Sequence, residues 1–195
     1  MKVAAFNGSP NRDGNTARLL RYALLELEAA GIETELVHVG GQPLRGCLAC
    51  RKCFERQDRR CSNDTDGMNG LIETMVGSDG ILLGSPTYFS DVTSEMKALL
   101  DRAGFVARAN GNLLRRKVGA AVVANRRAGG IHAFDTINHF FLIGEMVVVG
   151  SSYWNIGVGL APGDVDRDAE GIETMRTLGR NMAWILGQIE ENGGA

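Results

Sequence analysis

All four cysteines of the chain sit close together, at Cys47, Cys50, Cys53 and Cys61, with two, two and seven residues between them. Three thiols two residues apart, with a fourth one short loop away, follow the spacing logic of a [4Fe–4S] site. Tetrahedral zinc more often takes two separated Cys-x-x-Cys pairs or their His variants. The shared run of three therefore favours a cubane over zinc; four free thiols, or an oxidation-prone pair, is the other reading. Arg51, Lys52, Arg56, Arg59 and Arg60 crowd the same segment. Positive charge stabilises thiolates and suits an acidic electron carrier or the 2′-phosphate of NADPH. A solvated basic loop is the plain alternative.

A second stretch with chemistry in it runs from Phe6 to Thr16, Phe-Asn-Gly-Ser-Pro-Asn-Arg-Asp-Gly-Asn-Thr. It follows a short apolar run and precedes a periodic helical one. The first N–H groups of a helix lack intrahelical partners, and the helix dipole makes that end positive, so an anion fits there. Gly8 and Gly14 allow close backbone approach. Ser9, Asn11, Asn15 and Thr16 add side-chain donors, and Arg12 adds a charge. The stretch is neither a Gly-x-Gly-x-x-Gly fingerprint nor a Gly-x-x-x-x-Gly-Lys-Ser/Thr loop; its character suits a phosphate monoester. An ordinary turn capped by Asn15 or Thr16 is the alternative.

A third stretch, Ser85-Pro86-Thr87-Tyr88-Phe89-Ser90, also follows a short apolar run. Tyr88 and Phe89 offer flat apolar walls, and Thr87 and Ser90 offer donors. Aromatic walls with a few polar atoms suit a planar heterocycle, with ordinary packing as the alternative. Asn125-Arg126-Arg127-Ala128-Gly129-Gly130 is a further loop after an apolar run.

These stretches need a frame that brings them together. Strands are expected at about Val3–Phe6, Glu33–Val39, Gly80–Gly84, Val118–Ala124 and Met146–Val149. Helices are expected from about Thr16 to Ala30, over Met68–Val76, after an Asp91 or Thr93 cap, after Gly130, and from Ile172 to Ile189. Leu20, Leu24 and Leu27 give the first helix its apolar face. Gly40–Asp66 has no period and holds the cysteines; Ser151–Asp166 reads as irregular. Five strands alternating with five helices predict an α/β, doubly wound parallel sheet. With strand order 2-1-3-4-5 the reversal lies between strands one and three, where open sheets bind ligands. The first strand ends Phe6-Asn7-Gly8, with no acid cluster for Mg²⁺, which argues against a phospho-accepting signalling domain.

The totals set bounds. The chain has 195 residues, 21 basic against 23 acidic, and a formal net charge of −2. That predicts one domain over 1–195, with a cysteine-rich insertion at about 40–66. It carries no nucleic-acid footprint. Met1-Lys2 runs straight into a strand too short for a signal-peptide core, and no apolar run approaches the ~20 residues that span a bilayer. The expected compartment is the cytoplasm. His38, His132 and His139 stand apart from other ligand types and read as structural or surface residues.

Gly-Ser-Pro-Asn-Arg-Asp-Gly-Asn-Thr, the later Gly-Ser-Pro-Thr-Tyr-Phe-Ser, and Val-Gly-Ala-Ala-Val-Val before a Gly-Gly loop resemble the flavodoxin-like NAD(P)H-dependent FMN reductase family. More narrowly, the chain is similar to the iron-sulfur flavoproteins. The resemblance implies FMN with its phosphate at Ser9, Asn11, Asn15 and Thr16, beside Arg12. It implies a ring against Pro86, Thr87, Tyr88 and Phe89, beside Ser90, with Asn125 and Arg126 near its far side. It implies a [4Fe–4S] cluster on Cys47, Cys50, Cys53 and Cys61, a homodimer or homotetramer, and electron exchange with a carrier such as a ferredoxin. The cofactor does the hard chemistry, so no catalytic side chain is expected. A cluster-free NAD(P)H-dependent reductase of flavins or quinones is the first alternative; a non-catalytic flavodoxin-like binding module is the second.

Overall fold

The computed structural model describes residues 1–193. Its strands are β1 (Lys2–Asn7), β2 (Glu33–His38), β3 (Gly80–Pro86), β4 (Val118–Asn125), β5 (Val147–Val148) and β6 (Ile156–Val158). Its helices are α1 (Asn15–Ala29), α2 (Lys52–Arg56), α3 (Met68–Val76), α4 (Ser94–Ala109), α5 (Gly130–Ile143) and α6 (Ala169–Glu191), with a 3-10 turn at Asp164–Arg167. The sheet is parallel in the order β2-β1-β3-β4-β5, as the alternation of elements predicts.

Successive residues of a strand point to opposite faces, and both faces here are covered. Val3 and Ala5 of β1, Leu82 of β3 and Val118, Ala120 and Val122 of β4 pack with Leu20, Leu24, Leu27, Met175, Leu178 and Met182 of α1 and α6. Ala4, Phe6, Ile81, Leu83, Ala121 and Val123 pack with α3, α4 and α5. This two-sided burial explains why β1, β3 and β4 read as continuous apolar runs.

The fifth strand position differs from the expectation. It holds two short pieces: β5 pairs with Val118 and Gly119, and β6 pairs with Val123 to Asn125. Between them the chain leaves the ladder, and the buried Asn155 fills the gap. Its side-chain amide donates to the Ala121 carbonyl at 2.9 Å, and its backbone carbonyl accepts from the Val123 N–H at 2.9 Å. The segment expected to be irregular therefore contains a strand. The cysteine segment likewise contains the one-turn α2.

Register fixes which loops meet. Asn7 of β1 lies beside Gly84 of β3, and Pro86 of β3 beside Ala124 of β4. The three loops thus leave from the same edge, the carboxyl end of the sheet. Gly84 lets α1 sit close: a Cβ there would lie 3.0 Å from the Thr16 methyl and 2.7 Å from Leu20.

Candidate functional site

The loop after β1 is pinned by backbone and side-chain bonds. The Gly8 N–H donates to the Gly84 carbonyl at 2.7 Å, and the Ser9 N–H to the Asn7 side chain at 3.0 Å. The Asn11 N–H donates to Ser9 Oγ at 3.2 Å. Helix α1 then starts from Gly14 with no side-chain cap, so neither Asn15 nor Thr16 takes that role. Its first-turn N–H groups keep their free ends. Thr16 is buried, and its Oγ1 has no partner. Asp13 pairs with Arg21 at 2.7 Å and Arg18 with Asp166, which leaves Arg12 as the loop's unpaired cation among the described residues. Burial, reinforced by the Arg12 charge, pushes the His38 imidazole below its ordinary pKa. Its Nδ1 meets the Asn7 amide at 3.3 Å.

The loop after β3 is a tight turn. Tyr88 and Asp91 exchange N–H···O bonds at 2.8 and 3.0 Å, with Phe89 and Ser90 between them at φ 48° and 66°. Positive φ at both central residues is the type I′ pattern, which normally takes Asn-Gly. A phenylalanine there is strained, and its side chain stands fully exposed. Tyr88 is half exposed, while Thr87 Oγ1 is buried without a partner. The loop after β4 touches this turn: Gly129, at φ +85°, is so close that a Cβ would lie 2.7 Å from Ser90 Oγ. Asn125 is buried and Arg126 exposed.

Away from this crevice, along α4, the cysteines form a second site. Cys47, Cys50, Cys53 and Cys61 line one cavity of about 120 Å³, walled by Leu48, Phe54, Phe105 and Val106. The Ala49 N–H donates to Cys47 Sγ at 3.4 Å, and Cys50 Sγ lies 3.2 Å from Ser62 Oγ. The Ser62 hydroxyl, helped by the Lys52 backbone, holds the Cys50 thiol below its usual pKa; burial pushes the Cys53 thiol up. Ala49 and Arg51, either side of Cys50, both have positive φ. Among the described residues, no three Cys, His, Asp or Glu side chains are grouped to hold a single metal ion. A cubane spreads its four thiolates over four irons, so a shared cavity suits it better than one tight tetrahedron.

The family model for NADPH-dependent FMN reductases matches residues 1–161. The chain belongs to that family. This FMN reductase relative is 38% identical, over 98% of its length and 100% of the other's, to an iron-sulfur flavoprotein of Methanocaldococcus jannaschii. It is 30% identical to an iron-sulfur flavoprotein of Methanosarcina thermophila, over 98% of each chain. A flavodoxin from the domain Archaea superposes with a TM-score of 0.63 at 14% identity, covering 96% of this chain and 99% of that one, which makes the fold flavodoxin-like. The family member is therefore an FMN-dependent oxidoreductase rather than a non-catalytic module. The crevice fits FMN chemically: it has an uncapped helix N-terminus, an unpaired arginine and two buried hydroxyls without partners.

The structure brings Ser9, Asn11, Arg12, Asn15 and Thr16, Pro86 to Ser90, and Asn125 and Arg126 to one end of the sheet. Asn15 has a further role besides the expected one. One of its two amide N–H groups donates to the Ala161 carbonyl at 3.0 Å and its side-chain carbonyl accepts from the Gly163 N–H at 2.8 Å, which leaves its second N–H for a ligand. Asn15 thereby ties the segment after β6 to the start of α1. That segment is a fourth wall which sequence reasoning missed. Gly159 to Gly163 lies against Asn15, and Arg126, Val158, Leu160 and Arg167 edge a shallow hollow there.

Proposed function

We propose that the chain is an electron-transferring FMN oxidoreductase with a [4Fe–4S] cluster on Cys47, Cys50, Cys53 and Cys61. It would consist of one domain, with residues 40–66 as an insertion. The observation that carries the proposal is the shared cavity: four thiols, distributed over a loop and α2, line one largely apolar pocket. Bound FMN would supply two-electron chemistry and a bound cluster one-electron chemistry.

The chain's residues bind and orient. The Thr16 hydroxyl, the Ser9 and Asn11 loop, the Asn15 backbone N–H and the Arg12 charge at the α1 N-terminus would hold the phosphate. Pro86 to Ser90 would hold the ring, with the unpartnered Thr87 Oγ1 as an available donor or acceptor and Asn125 and Arg126 from the neighbouring loop. Helix α4 joins the two sites. Thr93, at its N-cap, bonds the first loop, and Arg102, Phe105 and Val106 wall the cysteine cavity. Nine residues of helix correspond to about 13 Å of axial separation.

The partners follow the same reading. The basic residues Arg51, Lys52, Arg56, Arg59 and Arg60 beside the cavity suit an acidic one-electron carrier such as a ferredoxin. The exposed Phe89 and Tyr88 suit a homodimer or homotetramer that covers the flavin. The compartment proposed is the cytoplasm; among the described residues no helix is long and apolar enough to cross a membrane.

A second reading drops the cluster and leaves an NAD(P)H-dependent reductase of FMN or quinones. It is favoured by the exposure of Cys47 and Cys50. Purification without oxygen followed by absorption spectroscopy separates the two. A broad iron-sulfur absorption beyond the flavin bands supports the first reading; flavin bands alone support the second.

A further inference from the structure

Among the described residues Arg102 is the largest fully buried side chain, 1% exposed, and it lies at the wall of the cysteine cavity. A buried guanidinium is costly unless its charge and its N–H groups are met. Here the charge and four of the five N–H donors are met, all by the cysteine segment. Nη1 donates to the Asp66 carboxylate and the Arg45 carbonyl, Nη2 to the Asn63 carbonyl, and Nε to Cys61 Sγ at 3.3 Å. Asp66 in turn accepts from the Arg45 N–H at 2.9 Å. The planar fork thus closes the two ends of the segment, at Arg45 and at Asn63–Asp66, onto α4.

The four thiols are not equivalent in these surroundings. Cys47 Sγ meets a backbone N–H and Cys50 Sγ a hydroxyl, but Cys61 Sγ meets the N–H of a fixed cation. An N–H aimed at a ligand sulfur draws electron density from it and favours the reduced, more negative state of a cluster. Hydrogen bonds to sulfur and local charge are two of the protein's levers on reduction potential. A role confined to pinning the loop would need the Asp66 and carbonyl contacts alone.

Building on the cluster reading, we propose that Arg102 is a positioning residue that orients Cys61 as a ligand and raises the potential of the cluster it would hold. Lysine cannot reproduce the fork, because its ammonium is a point charge without the planar set of donors.

The test uses anaerobically purified whole protein: wild type, Arg102→Lys, Arg102→Gln and Arg51→Lys, each labelled with ¹⁵N in the arginine guanidinium only. Pulsed EPR of the reduced proteins is expected to show an arginine coupling in the wild type that is absent from iron-loaded Arg102→Lys; the comparison is needed because Arg51 also lines the cavity. EPR-monitored titration is expected to show the potential shifted negative in Arg102→Gln, less so in Arg102→Lys, with FMN content unchanged. Iron-loaded wild type without the coupling overturns the proposal, as does an iron-loaded Arg102→Gln with the wild-type potential. If the Arg102 variants lose iron, labelled Arg51→Lys decides: a coupling kept there supports the proposal, and a coupling lost there overturns it. Wild type that carries FMN but no iron instead defeats the cluster reading on which the proposal rests.

Discussion

Thr93 Oγ1 donates to the Gly8 carbonyl at 2.8 Å while accepting from the Met96 N–H at 3.3 Å. One buried hydroxyl thus caps α4 and anchors the loop after β1, so the crevice and the helix that walls the cysteine cavity are set by the same atom. Thr93→Ala removes an N-cap and leaves a buried carbonyl unpaired. It is expected to lower stability by about 1–3 kcal/mol, read as a lower urea midpoint at unchanged slope. FMN affinity should fall with it.

Thr16 gives the opposite pattern. Its buried Oγ1 has no partner in the protein. Replacing it with valine removes an unsatisfied hydroxyl at nearly constant shape, so the flavin-free protein should be as stable or more so. If the hydroxyl meets a phosphate, the loss of a hydrogen bond to a charged group weakens FMN binding by roughly 10–100-fold. Quenching of FMN fluorescence on titration measures this.

Phe89 is held at φ 48° with its ring in solvent. Glycine removes the left-handed strain but adds unfolded-state entropy, so Phe89→Gly is expected to stabilise the flavin-free protein by up to about 1 kcal/mol. The flavin-loaded protein should lose affinity, because a wall of the ring pocket is gone. Thermal unfolding with and without FMN separates the two effects.

Acid sensitivity should trace to Asp66. Burial works against its charged form, but the Arg102 guanidinium and the Arg45 and Met68 N–H groups hold its carboxyl below the usual carboxylate value. A depressed folded pKa contributes stability above the unfolded value and loses it as pH falls through the folded one. The loss therefore belongs below about pH 4, the range of an unperturbed aspartate. Urea midpoints of iron-free protein against pH should drop there. Asp66→Asn should be less stable at neutral pH, because a buried cation loses its partner, and should show a shallower acid drop.

Some of this architecture is legible in the chain itself. The runs at β1, β3 and β4 stand out because burial on both faces confines polar residues to their ends, and the phosphate loop stands out because it joins such a run to a helix. Other parts are hidden for physical reasons. Residues Ile156 to Val158 are too few to show a period, and their strand exists because β4 offers them an edge. The partners of Asn15 lie 146 and 148 residues away, so nothing local marks its side chain as a loop anchor. Arg102 looks like a polar position on an amphipathic helix; only the fold turns it inward to the cysteine segment. The turn at Phe89–Ser90 lacks the Asn-Gly that would announce it.

Iron, acid-labile sulfide and FMN in anaerobically purified wild type and Cys50→Ser provide the most direct measurement. The account predicts about four irons per chain and FMN in the wild type, and FMN without iron in Cys50→Ser, because the two sites use different loops. Wild type with flavin and no iron would contradict it, as would loss of both groups in the variant.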